Sequence, residues 1–452
     1  MYDMTEGKIA RHIFRFTIPL LIGNVFQQFY NMADAIIVGQ FVGKGAMAAV
    51  GISFPVMFVA VSSMIGVTMG VSVLVSQFFG AKEIERIRRT VSTGYIFTFF
   101  MSIALMFVGI ALNDFIQTLL RTPADIREDA KLYLFIIFLG VPFSFGYNLL
   151  ASVLRGVGDS QTPLYLLIFS TTVNVFLDLF FVLALKQGVG GAAIATVISQ
   201  ALAFFLGIYF MIKKNTIFRL HRKWVFDKQI FKQSIFIGFP AGVQHAIVGI
   251  GMMCLFYIVN RFGADVLAGY TAAMRIESFA MMPIFNFGMA ITVFVGQNLG
   301  AGKLNRVHRG VVSTLVMTLS ICAITSSILG FFPNYLISIF NRDVKVIEIG
   351  SEYLRIVSGF YFFFAIMSVY TGVLRGAGDT FVPMLVAIFS QFILRVPLSA
   401  YLSTIWGTRG IWWGVPIAWG AGMVFLYIYY KVGYWKRKVK FIHTPFENAL
   451  ES

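Results

Sequence analysis

The run VSTGYIFTFFMSIALMFVGIAL, residues 91–112, carries no charged side chain and as a helix is long enough to cross ~30 Å of hydrocarbon. Stretches of the same kind follow one another along the whole chain. In lipid no water satisfies the backbone, so only helices and closed barrels can span. A barrel would show short segments of alternating polarity, and none is present. The composition agrees: 58% of the 452 residues are hydrophobic and 12% charged, with mean hydropathy +0.80. The expectation is an all-α polytopic membrane protein. Twelve transmembrane helices are read near 14–39, 46–78, 92–113, 130–153, 163–185, 190–212, 233–260, 267–298, 312–333, 349–373, 383–405 and 409–432. The first segment is too long and polar for a cleaved signal, and lacks a small-residue cleavage site. Cys254 and Cys322 both fall in apolar segments, against a disulfide framework or a zinc site.

The net charge of +16 reflects loops rather than nucleic-acid binding. Of the 36 Lys and Arg, 24 lie on the side of both termini and 9 on the other. Both termini are therefore expected in the cytoplasm, with the chain in the plasma (inner) membrane. The division is an N-terminal six-helix lobe (1–212), a basic cytoplasmic linker (213–232), a C-terminal six-helix lobe (233–435) and a cytoplasmic tail (436–452).

The halves repeat at a constant offset of 220. VLRGVGDSQTP (153–163) matches VLRGAGDTFVP (373–383), and SQFFGAK (76–82) matches GQNLGAG (296–302). Six spans is an even number, so both halves enter the membrane the same way, as parallel repeats. Two such bundles suit a transporter that exposes a central cavity to each side in turn. The LRGxGD turns have no Lys-Ser or Lys-Thr and no preceding strand, so they are not phosphate loops. They read as structural hinges: Gly makes the turn, Asp caps the next helix, and Pro163 and Pro383 lie in that helix's first turn.

Differences between the halves point to function. The first span carries GNVFQQFYNMADAIIVGQ (23–40), where Asn24, Gln27, Asn31 and Asp34 form a polar stripe. Asp34 corresponds to Cys254, Asp178 to Leu398, Asn174 to Leu394, Thr196 to Pro416 and Asn148 to Ser368. A role in the fold alone would appear in both halves. At ~1.5 Å per residue, Asp34 lies ~30 Å and Asp178 ~22 Å from the inner ends of their helices, and Thr196 ~9 Å from an outer end. All three fall in the outer half of the bilayer. Two carboxylates buried close together cannot both stay ionised without a counter-cation. They must take a proton, bind Na⁺ or pair with a cation, and the oxygens of Asn174 and Thr196 suit a hard cation.

The C-terminal half has charges of its own. Arg395 and Glu277 fall at similar depth, and a structural pair across helices is expected, the alternative being a cavity-facing role in coupling or substrate binding. Arg275, nearer the interface, can snorkel. Gln244 and His245 follow Pro240, and His245 reads first as a structural histidine. The 49 Phe and 20 Met can fill lipid-facing and helix-packing positions or line an adaptable apolar cavity.

The doubled LRGxGD…P motif, NMADAIIVGQ in span 1 and NVFLDLFF in span 5 resemble the multidrug and toxic compound extrusion (MATE) transporters, and most closely their prokaryotic DinF-like branch. The resemblance covers nearly the whole chain. It implies a V-shaped, two-lobe secondary antiporter, taken as a monomer, that exports amphipathic or cationic compounds in exchange for H⁺ or Na⁺. It assigns Gln27, Tyr30 and Asp34 on the first helix, Asn174 and Asp178 on the fifth and Thr196 on the sixth; Asn148 matches a fourth-helix amide. The NorM-like branch places an acid on the seventh helix, and GFPAGVQHAIVGIGMM (238–253) has none, so that mechanism is not carried over. No cofactor is implied. The rival within the same superfamily is a lipid-linked oligosaccharide flippase, which would need several arginines in a cationic cavity. An enzyme would need a catalytic constellation within the spans, and a channel a ring of subunits around a pore.

Overall fold

The structure is a computed structural model and describes residues 2–214 and 225–436, with only the backbone of Lys214. Residues 215–224 of the basic linker and the tail beyond Lys436 lie outside the described residues. The described chain is helical, without strands. Ten long helices form spans of their own: α1 (Ile9–Ile37), α2 (Lys44–Gly80), α3 (Ile84–Ala111), α5 (Arg127–Gly156), α6 (Gln161–Asp178), α7 (Gly188–Lys214), α8 (Lys228–Asn260), α9 (Ala264–Gly300), α10 (Leu304–Phe331) and α16 (Thr408–Val432). α14 (Phe381–Ile388), the π-helical stretch Phe389–Arg395 and α15 (Val396–Trp406) join into an eleventh. The tenth span in chain order is broken into α12 (Val344–Ser358) and α13 (Tyr361–Gly376), bent by 53°. Counting that pair as one gives twelve spans among the described residues.

Gly359 and Phe360 separate the two helices. The matching positions of the first half are Leu139 and Gly140, and α5 runs through them unbroken. Two short helices were not expected from the hydrophobic runs: α4 (Asn113–Leu119) and α11 (Pro333–Ser338). They begin 220 residues apart, as do α2 and α9, and α3 and α10, so the repeat extends to helix ends.

The hinges take the expected form. Gly158 and Gly378 both have φ +82°, a region that favours glycine. A Cβ on Gly158 would also collide with the carbonyl of Tyr2. Asp159 accepts from the backbone N–H groups of Gln161 (3.1 Å) and Thr162 (3.0 Å) at the start of α6. Asp379 accepts from the Tyr429 hydroxyl at 2.6 Å.

The chain forms two compact units. Unit 1 is Met1–Tyr2 with Ile18–Gly242; unit 2 is Asp3–Thr17 with Val243–Ser452. The first turns of α1 thus belong with unit 2, and the first half of α8 with unit 1. Within unit 1, α5 is packed by α2, α3 and α7, with Leu149, Leu150, Val153 and Leu154 fully buried. Lipid is as apolar as a leucine, so helices here are held by close packing rather than by exclusion from water. Gly70 of α2 lies against the backbone of α8, where any side chain would meet the Ser234 carbonyl. Unit 2 packs α10, α12 and α13 on α9, around Tyr270, Tyr353 and Trp412. Tyr270 stacks on Trp412 with ring centres 5.4 Å apart. Residues 3–7 are tied into this unit by Arg306, whose guanidinium donates to the carbonyls of Met4, Glu6 and Gly7 at 2.9–3.0 Å.

Candidate functional site

Asp178 is the last residue of α6, and the π-helical stretch Leu179–Ala184 begins immediately after it. Asn174 lies one turn earlier on the same face, and both residues are 0% exposed. π-Helical turns admit an extra residue, rotate the remainder of the helix and recur at functional sites. A second such turn, Val38–Val42, ends the first span four residues after Asp34. Hydrophobic periodicity does not reveal either feature.

α1 brings Asp34 to Asp178. The two carboxyls are near enough for each to feel the other. Yet both oxygens of Asp178, Oδ1 of Asp34 and both polar side-chain atoms of Asn174 are buried without a hydrogen-bond partner among the described residues. Tyr30, one turn before Asp34, joins its hydroxyl to Thr196 Oγ1 of α7 at 3.2 Å and lies in the field of both acids. Unit 1 therefore gathers Tyr30, Asp34, Asn174, Asp178 and Thr196 from three helices. A buried polar group without a partner costs ~1–3 kcal/mol, and more if charged. The donor set of two carboxylates, an amide oxygen and hydroxyls fits a proton or a small hard cation.

The other candidates lie apart from this cluster. Gln27 and Asn31 are exposed and bond only weakly to each other, at 3.5 Å. Asn148 donates to the Ser144 carbonyl of its own helix at 2.8 Å. The expected Arg395–Glu277 ion pair is corrected: both are buried and sense each other's charge, but their hydrogen bonds go elsewhere. Glu277 accepts from the Tyr353 hydroxyl at 2.6 Å, and Arg395 donates to Gln391 Oε1 at 3.4 Å. The π-helical stretch Phe389–Arg395 sets Gln391 and Arg395 on one side, and Tyr353 reaches Glu277 from α12. Arg275 is exposed. Gln244 accepts from Arg375 at 2.7 Å, and His245 stands in the field of the same guanidinium.

Tyr133 of α5 is an addition that sequence reasoning missed. It is half-buried near Asp34, Asp178 and Tyr30. Its repeat mate is Tyr353, the residue that bonds Glu277. A search for differences between the halves passes over a tyrosine present in both; a search for shared polar positions inside spans would have found it.

A family model described as MatE matches residues 19–180 and 240–401, one match in each half. Two relatives from Bacillus subtilis align over most of their length. "Probable multidrug resistance protein YpnP" is 30% identical over 96% of this chain and 98% of its own. "Probable multidrug resistance protein YoeA" is 29% identical over 96% of each. Among solved structures, "Crystal structure of MATE in the bent conformation" superposes with a TM-score of 0.90 at 21% identity, over 97% of this chain and 98% of that one.

Proposed function

Since the chain belongs to the MATE family, we propose that it is a secondary active antiporter that exports amphipathic or cationic compounds in exchange for H⁺ or Na⁺. The names of the two Bacillus relatives support drug export as the physiological class. The observation that carries the coupling is the Asp34–Asp178 pair, buried with unpartnered oxygens beside Asn174. Left ionised and alone, the carboxylates repel each other. A proton shared between them, or a Na⁺ held by their oxygens with those of Asn174 and Thr196, removes that repulsion. The ion thereby favours whichever conformation keeps the two acids together, and this differential affinity is what coupling requires.

In this mechanism Asp34 rides on α1 and Asp178 on α6, so loading the ion ties the two helices. Tyr30 holds α1 to Thr196 on α7. Pro19, inside α1, leaves one backbone carbonyl without its helical donor and gives the helix a place to bend. Ion entry from outside would close the acid pair, bend α1 and release substrate outward. Both termini are cytoplasmic in this scheme, following the Lys and Arg bias.

The test is efflux of ethidium from proteoliposomes under an inward Na⁺ gradient and, separately, an inward proton gradient. One of them is expected to drive export, and Asp34→Asn to abolish the response while the protein still inserts and folds. Export by Asp34→Asn at the wild-type rate would remove Asp34 from the mechanism. No response of the wild type to either gradient would sink antiport.

A further inference from the structure

We propose that Arg375, Gln244 and His245 form a second binding site, in unit 2, for the anionic group of an amphipathic compound: a carboxylate, sulfonate or phosphate. The inference deepens the export reading and rests on it for the amphipathic class of the compound.

Arg375 lies in the last turn of α13, and its Nη2 donates to Gln244 Oε1 of α8 at 2.7 Å. Its Nε is buried and has no acceptor. Among the described residues no carboxylate forms an ion pair with it. A buried guanidinium nitrogen without an acceptor is costly, and the amide oxygen that Arg375 does meet is neutral. The carbonyl ends of α13 help only by a partial charge. Because Oε1 of Gln244 faces Arg375, its amide nitrogen is left as a further donor. His245 stands beside them, in the field of Arg375. All three side chains are half-buried, and polar groups in a span face a protein interior or a wet cavity rather than lipid. The planar fork of arginine matches the two oxygens of a carboxylate or phosphate.

The repeat separates this from a demand of the hinge. Arg155 is the mate of Arg375, in the same LRGxGD motif, and donates to Ser152 Oγ of its own helix at 2.8 Å. The mates of Gln244 and His245 are Asn24 and Val25. Both hinges carry an arginine, but only in unit 2 does its hydrogen bond cross to a neighbouring helix, at Gln244. The site is opposite in sign to the Asp34–Asp178 pair and lies in the other unit.

The test is direct binding, independent of transport. Purified protein in phosphatidylcholine nanodiscs is titrated with carboxyfluorescein and, separately, with ethidium, and fluorescence anisotropy is read. Arg375→Gln is expected to weaken carboxyfluorescein at least about tenfold, leaving ethidium within about twofold. Gln244→Glu keeps the arginine but supplies a tethered carboxylate in hydrogen-bonding range. It is expected to block carboxyfluorescein with thermal stability unchanged or raised. Phosphatidylglycerol in the nanodisc separates the sources: competition assigns a lipid headgroup, unchanged dye binding a free solute, and both keep the site. Wild-type protein that fails to bind carboxyfluorescein, variants that bind it as wild type does, or equal loss of both dyes overturns the proposal. Absence of ethidium binding alone counts against the cation-export reading and leaves the anion result standing.

Discussion

Asp178→Asn tests the charge-pair argument without transport. Asparagine has nearly the volume of aspartate, so packing at this fully buried position is kept. What changes is charge. Two carboxylates taken as ~4 Å apart in a medium of effective dielectric constant ~20 repel by ~4 kcal/mol. Asp34 is half-buried, and water near it lowers that to about 2 kcal/mol. A ligand that binds only the folded state stabilises it by ~2.7 kcal/mol at a hundred times its dissociation constant. Wild-type protein should therefore gain ~2–3 kcal/mol on saturation with the coupling ion. In Asp178→Asn one charge is gone and the gain should drop below about 0.5 kcal/mol. The assay is thermal unfolding of purified protein in detergent, with Na⁺ replacing K⁺ at fixed pH, then a pH series in K⁺. The wild-type melting temperature should rise with whichever of the two ions binds the pair and relieves the repulsion. The variant without ion should be at least as stable as ion-free wild type. An ion effect of equal size in both proteins would refute the reasoning.

Tyr353→Phe removes the 2.6 Å hydrogen bond to Glu277 and should destabilise by about 2 kcal/mol, since it leaves a buried acceptor without its donor. Unfolding measured against wild type checks this, and the ion dependence should stay as in wild type because the acid pair is in unit 1. Gly70→Ala places a methyl group into the Ser234 carbonyl and forces α2 from α8, at about 1–3 kcal/mol; the melting temperature reports it. Arg306→Ala removes the guanidinium that holds Met4, Glu6 and Gly7. Amide exchange over residues 3–8 should then accelerate by at least about tenfold, a local loss of more than about 1.4 kcal/mol.

Most of the fold was legible because a membrane allows few solutions. Apolar runs set the spans, and helix ends fell within several residues of the runs. The offset of 220 also located the two short helices once one of them was seen. The acids of the candidate site were legible through asymmetry: Asp34 against Cys254 and Asp178 against Leu398 need no structure to be noticed. Tyr133 and Arg375 were not, because each has an identical mate and the comparison rewarded differences. Gln27 and Asn31 were grouped with Asp34 on helical spacing, yet they are exposed while Tyr30 turns toward the acids. Spacing gives a shared face, but which neighbour that face meets depends on other helices.

By itself the sequence determined that this chain spans a membrane many times, that it is a duplicated unit, and that the two copies have diverged in their polar residues. These conclusions come from local composition and self-comparison. Only the tertiary structure decided that Asp34 and Asp178 meet, that Glu277 bonds Tyr353 rather than Arg395, and that Arg375 reaches Gln244. The pairing of side chains depends on helix rotation and on π-helical turns after Asp178 and up to Arg395. Rotation of a helix among equally apolar neighbours is set by close packing, and one inserted residue in a turn moves a side chain to another face.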